Sequence, residues 1–230
     1  ISAIEYENTD TDAPTAGDRT VRFTLSDGDG GTSAENDAVV DFASSNDVPV
    51  LSDIADDSLA YTEGDGKQLI DQGSDAGVTD VDSPDFDGGH LIAEITAGGD
   101  TAEDVLTVRN IGTGGGQIGV SGNDVTYEGD SIGSYTWTAG SGKLDVTLNA
   151  SADAAAVAAL ISAIEYENTD TDAPTAGDRT VRFTLSDGDG GTSANNDAVL
   201  DFAASNDVPV LSDIANDSLA YTEGDGKQLI

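Results

Sequence analysis

The chain has 230 residues, of which 45 are acidic and 8 basic, so its formal net charge is −37; it has no cysteine and one histidine, His90. So large an acidic excess excludes nucleic-acid binding by phosphate neutralisation, which needs a basic face. The missing cysteines exclude disulfides, thiolate catalysis and cysteine-held metals, and one histidine leaves little acid–base or transition-metal chemistry.

Residues 1–70 recur as 161–230 with an offset of 160, and only Glu35/Asn195, Val40/Leu200, Ser44/Ala204 and Asp56/Asn216 differ, so 66 of 70 positions match. A period of that length is a whole domain rather than a solenoid unit. The expected organisation is residues 1–45 as the C-terminal part of a preceding repeat, 46–206 as one complete repeat, and 207–230 as the N-terminal part of the next. By the same offset Ile1 corresponds to Ile161, inside a helical pattern, so the chain reads as a window on a longer protein.

Taken in order, Leu91, Ala93 and Ile95 alternate with Ile92 and Glu94, which is the period of a half-buried strand. Tyr135 and Trp137 share one face of another strand, either as core or as an aromatic platform for a sugar ring. Leu144, Val146 and Leu148 alternate with Asp145 and Thr147. Ser151 to Ile164 reads as a short helix, with Ser151 as N-cap and Val157, Leu160, Ile161 and Ile164 at helical spacing. Val181, Phe183 and Leu185 form a further strand, followed by one near Ala198 to Phe202. Gly122-Asn123-Asp124, Gly140-Ser141-Gly142 and Asp187-Gly188-Asp189-Gly190-Gly191 punctuate these runs, so the expected fold is all-β, an antiparallel β-sandwich repeated in tandem with one short helix. Extra β-hairpins are expected in mid-domain, between about Glu103 and Ala150.

Most of the carboxylates read as a solvated surface, but four loops concentrate them at short spacing. They are Asp80-Val81-Asp82 with Asp85 and Asp87; Asp187 with Asp189; Glu167, Asp170 and Asp172, copied as Glu7, Asp10 and Asp12; and Asn46-Asp47, copied as Asn206-Asp207. Carboxylate and amide oxygens on glycine turns, without nitrogen or sulfur donors, suit Ca²⁺. No loop has EF-hand spacing, and there is no calcium-binding nonapeptide repeat. A strand from Thr180 to Leu185 separates the Glu167 and Asp187 loops by about 20 Å. Asp187 and Asp189 then stand near the linker entering their domain, with Asp80 and Asp82, while Glu167, Asp170 and Asp172 stand near the linker leaving it. At Asn46-Asp47 the preceding copy would bring Glu7, Asp10 and Asp12.

Val78-Thr79-Asp80-Val81-Asp82 and Asn46-Asp47-Val48-Pro49 resemble the Asp-x-Asp motif and the interdomain linker of the cadherin family, especially the cadherin-like (Ig-like) tandem repeats of large bacterial surface adhesins. Asp187 or Asp189 takes the place of the family's aspartate before the last strand, and Glu63 in Tyr61-Thr62-Glu63-Gly64 that of its early glutamate. The family's Leu-Asp-Arg-Glu motif is missing, and Glu167 to Asp172 only occupy its place. The linker is also short, with Ser44 and Ser45 where animal cadherins carry a leading aspartate. The resemblance implies Ca²⁺ between consecutive domains, held by these groups.

The expected function is a calcium-stiffened extender of an extracellular adhesin or surface filament, with neighbouring repeats and other copies of the chain as partners. The alternative is a carbohydrate-binding module, with polysaccharide as partner and Tyr127, Tyr135 and Trp137 as its platform, or a homophilic adhesion module. Catalysis is not expected, since carboxylate pairs arise by chance in so acidic a chain and no nucleophile motif surrounds His90. No apolar run is long enough to cross a bilayer, so no membrane insertion is expected in this segment.

Overall fold

The computed structural model describes residues 3–55, 57–213 and 217–229. Ile1 and the Asp56/Asn216 difference lie outside the described residues. Among the described residues the regular structure is mostly β-sheet with one short helix, as the alternating patterns predict. β1 (Arg19–Phe23) and β2 (Asn36–Val40) form a two-stranded hairpin of their own.

The other strands lie between Val50 and Ala203. They are β3 (Val50–Ser52), β4 (Ser58–Thr62), β5 (Gln68–Leu69), β6 (Gly77–Thr79), β7 (His90–Ala97), β8 (Asp104–Val108), β9 (Ile118–Ser121), β10 (Asp124–Tyr127), β11 (Asp130–Trp137) and β12 (Lys143–Leu148). After the helix α1 (Ala154–Ser162) come β13 (Ile164–Asn168), β14 (Arg179–Leu185) and β15 (Asn196–Ala203). An eight-stranded sheet has the order β4-β15-β14-β7-β12-β11-β10-β9; a three-stranded sheet is β5-β13-β8, and β3 pairs with β6. One hydrophobic core joins them. Leu91 and Ala93, Leu144 and Val146, and Val181, Phe183 and Leu185 meet Leu106, Ile164 and Tyr166 there, all essentially without exposure. Burying each large apolar side chain contributes roughly 1.5–3 kcal/mol.

Among the described residues the pairing is antiparallel except between β15 and β4, which run parallel from Val199↔Ser58 to Ala203↔Thr62. This departs from the hairpin expectation, because β4 and β15 are joined by most of the unit rather than by a tight turn. The extra hairpins expected between Glu103 and Ala150 are present, with β9, β10, β11 and β12 paired antiparallel in succession. β8 pairs with β13, and β12 pairs with β7, so the meander β9-β10-β11 simply widens the large sheet.

The helix is shorter than its sequence pattern. Its N-cap is Asp153, whose carboxylate accepts the Ala156 N–H at 2.8 Å, while Ser151 is held in the preceding turn by Asn149. Ile164 is buried from the first position of β13 rather than from the helix.

Identical sequence does not give identical structure. Residues 4–8 repeat β13 and residues 218–222 repeat β4, yet neither forms a strand, and Ile4, Tyr6, Leu219 and Tyr221 are exposed. Among the described strands, only the hairpin forms in both copies, with Arg19↔Val40 matching Arg179↔Leu200.

Candidate metal centre

The linker enters the unit against two acidic turns. Asp187 is fully buried, and its Oδ1 accepts the main-chain N–H groups of Asp189, Gly190 and Gly191 at 2.8–3.0 Å. Its Oδ2 accepts the side-chain amide of Asn46 at 2.8 Å, and the same amide reaches the Asp47 carbonyl oxygen at 2.6 Å. Burial alone would raise the carboxyl's pKa, but the Asn46 amide and the three N–H donors together hold it below the ordinary value. A Cβ on Gly191 would lie 2.1 Å from Asp187 Oδ2 and 2.7 Å from the Asp47 carbonyl oxygen, so glycine is required for this approach.

Asp47 N–H donates to the Asp82 carboxylate at 3.1 Å, which ties the linker to the second turn. There Asp80 Oδ1 accepts the N–H groups of Asp82 and Ser83 at 3.3 and 3.2 Å. Asp47 Oδ2 and Asp80 Oδ2 are buried without a hydrogen-bond partner from the protein. Burial raises the pKa of Asp80; the two N–H donors offset part of this, and the neighbouring Asp82 carboxylate adds to it. Asp189 lends only its N–H and is itself exposed.

The other predicted residues lie elsewhere. Glu63, only 8% exposed, sits at the downstream end, where its Oε2 accepts Ser205 N–H at 2.8 Å and its Oε1 is buried without a partner. Asn206 repeats the Asn46 contact with its own neighbour, Asp207, at 3.0 Å, but is exposed. Glu167 is half-buried on β13 opposite Val105, and Asp170 closes a local turn by accepting Asp172 and Ala173 N–H, which lowers its pKa. Glu7, Asp10 and Asp12 are exposed, and Asp10 forms the same local turn. The structure thus brings together Asn46, Asp47, Asp80, Asp82 and Asp187, and places Glu63 at the opposite end of the unit.

Sequence reasoning missed a buried network beside Glu63. Asp104 and Arg179 are both fully buried and paired, with Nε 3.3 Å from the carboxylate. Asp104 also accepts Tyr166 O–H and the Asn168 amide, and the Arg179 guanidinium stacks 3.8 Å over Phe202. Burial, with the Asp104 carboxylate beside it, pushes the Tyr166 hydroxyl well above its ordinary pKa. The signal was readable: Arg179 has the same strand parity as Val181 and Phe183, so it belongs to the core face.

Tyr135 and Trp137 stand opposite Val146 and Leu144 and pack against the core, as the core reading expects. His90 is half-exposed and bonded to Asp145 at 2.8 Å, with Lys143 on the same carboxylate.

No protein-family model matches the chain, and no curated protein matches it. Among solved structures it is similar to the C-terminal domain of the Streptococcus pyogenes antigen I/II-family protein AspA. The identity is 11%, over 74% of this chain and 50% of that one, with a TM-score of 0.28. The chain spans about half the length of that structure. At this level of likeness, the site is read from the chain's own residues.

Those residues offer hard oxygen donors alone. Among the described residues, no three acidic or histidine side chains converge closely enough to hold a metal ion by themselves. Neither do the ion pairs found there include Asp47, Asp80, Asp82, Asp187 or Glu63. The buried unpartnered oxygens of Asp47 and Asp80 fit a hard cation, completed by an amide or main-chain carbonyl oxygen.

Proposed function

We propose that the chain is a segment of an extracellular, calcium-stiffened spacer built from cadherin-like repeats, as in a bacterial surface adhesin. The observation that carries this reading is the pair of buried carboxylate oxygens, Asp47 Oδ2 and Asp80 Oδ2, unpartnered where the linker meets the unit. A buried anionic oxygen without a donor costs free energy, and no basic side chain relieves it here. Ca²⁺ would supply the missing positive charge, with Asp47, Asp80, Asp82 and Asp187 as carboxylate donors and Asn46 as the amide. By joining linker and unit, it would hold successive repeats in line. Near-identical copies suit such a role, since a spacer gains length from repetition without a separate site in each unit.

Sites of this kind in extracellular modules bind with dissociation constants of about 10⁻⁴ to 10⁻³ M, which makes the spacer stiff outside a cell and loose under chelation. Binding to the folded state alone raises stability by linkage. The test is thermal unfolding together with small-angle scattering, in millimolar Ca²⁺ and then in chelator. Calcium should raise the melting temperature and lengthen the particle; no change in either overturns the reading.

A further inference from the structure

We infer that each unit bears tension along the chain through the parallel pair β4–β15, fastened by the buried network around Phe202. The inference rests on the spacer reading, since a spacer that holds a distant tip is pulled along its length.

The chain enters the unit at Pro49 and leaves it after Ala203, and it continues on both sides, so tension is applied at those two points. β15 begins just after the Asp187–Gly191 loop at the upstream end and runs downstream, and β4 runs parallel to it. Pulling therefore draws β4 upstream from its first residue and β15 downstream from its last. All the bonds between them are sheared together, whereas a hairpin pulled from its open end loses its bonds one at a time. The pair has five residue positions in register, and two further bonds extend it: Val199 N–H to Asp57 O at 2.8 Å and Glu63 N–H to Ala203 O at 2.9 Å. The Glu63 carboxylate then holds Ser205 beyond the end of the strand.

Sliding would also drag side chains out of the core. Tyr61 and Phe202 are register partners whose rings stack at 5.7 Å. Arg179 covers Phe202, Tyr166 meets Tyr61 edge-on at 4.9 Å, and the Tyr61 hydroxyl accepts Asn168 N–H at 3.0 Å. Tension reaches the Asp47–Asp82 contact and the three-residue pair β3–β6 first, so these give way before the longer parallel pair.

The test is single-molecule force spectroscopy of the whole chain held by its two termini. Ala60 and Asp201 are exposed register partners, so Ala60→His with Asp201→His places two imidazoles about 5 Å apart for Ni²⁺ to bridge. A second pair, Asp124→His with Ser134→His, bridges β10 and β11 in the same way, away from the line of pull. Ni²⁺ should slow unfolding at a fixed force about ten-fold in the first variant and leave it unchanged in the second, although both gain stability against denaturant. Equal slowing in both, or none in a first variant that Ni²⁺ does stabilise against denaturant, overturns the inference.

Asp201→Pro tests the same bond set without a metal. The alternation of the ladder points Asp201 N–H at β4, so proline there should lower the unfolding force, and an unchanged force likewise overturns the inference. The proline comparison is made in chelator and in calcium, and the Ni²⁺ comparison in calcium-depleted buffer free of chelator, which would strip Ni²⁺ from the histidines, and again with calcium. An effect that persists without calcium stands whether or not calcium stiffens the junction, so failure of the two readings can be told apart.

Discussion

Asn46 and Asp187 lie 141 residues apart in the chain, and the side-chain amide of the first donates to the carboxylate of the second at 2.8 Å. This contact closes the unit on its own linker, and its strength depends on the charge of Asp187. The carboxyl's pKa is lowered in the folded state, so its contribution is fully present above the ordinary carboxylate range and is lost as pH falls through the lowered value. Asp187→Asn should cost about 1.5–3 kcal/mol at neutral pH, the scale of a buried hydrogen bond to a charged group. Urea unfolding at pH 7 and pH 3 checks this, and the gap between the proteins should narrow at the lower pH.

Asp80 has the opposite sign. Its pKa is raised by burial and by Asp82, so its favourable form is the protonated one, present below the ordinary carboxylate range and lost as pH rises through the raised value. At neutral pH without a cation it therefore opposes folding. Asp80→Asn should raise the melting temperature in chelator by a few degrees, the shift that about 1 kcal/mol produces in a domain of this size. It should also remove the increment due to calcium. A variant that loses stability in chelator, or that keeps the full calcium increment, contradicts this account of the junction.

The glycine turn gives a comparison within one chain. Gly191 and Gly31 are copies, but a Cβ on Gly191 meets both the Asp187 carboxylate and the Asp47 main chain, whereas a Cβ on Gly31 meets only the Asp27 side chain, at 2.3 Å. An exposed carboxylate can swing away, but a linker carbonyl held in place cannot. Gly191→Ala should thus cost at least about 1 kcal/mol and weaken the calcium response, and Gly31→Ala should leave both nearly unchanged. Denaturant unfolding of the two single variants, with and without calcium, separates them.

How much of this was legible in the sequence depended on how locally each feature is determined. The alternation in β7, β12 and β14 named their buried residues correctly, because the period of two is a property of the strand itself. The hairpin register and the Asp170 turn recur in both copies for the same reason. The strand formed by residues 164–168 is absent at residues 4–8, despite identical sequence, because it needs β5 and β8 beside it. Following the direction of β14 puts the Asp187 loop, the linker and the Asp80 turn at one end, as found, but it also assigns Glu7, Asp10, Asp12 and Asp189 to that end, and these are exposed, with Asp10 closing a turn of its own. The parallel β4–β15 pair was not legible, because nothing local in Ser58–Thr62 names a partner more than a hundred residues away.

Arg179 and Arg19 make the same point in energy. Both sit in the same sequence, and both donate to the carbonyl oxygens of the residues two and four positions before them. Arg179 also neutralises the fully buried Asp104, whereas Arg19 is exposed enough to remain hydrated and stacks on Phe42 at 4.8 Å. Arg179→Met strands the Asp104 carboxylate in the core, which costs about 3–5 kcal/mol when one partner of a buried pair is removed. Arg19→Met leaves no buried charge and should cost well under about 1 kcal/mol. Adding Asp104→Asn to Arg179→Met should recover part of the loss, because the stranded charge is gone while the Tyr166 and Asn168 contacts have a neutral partner. Urea unfolding of the three variants measures this; equal costs at positions 19 and 179 would mean that the arginine acts through its local turn alone.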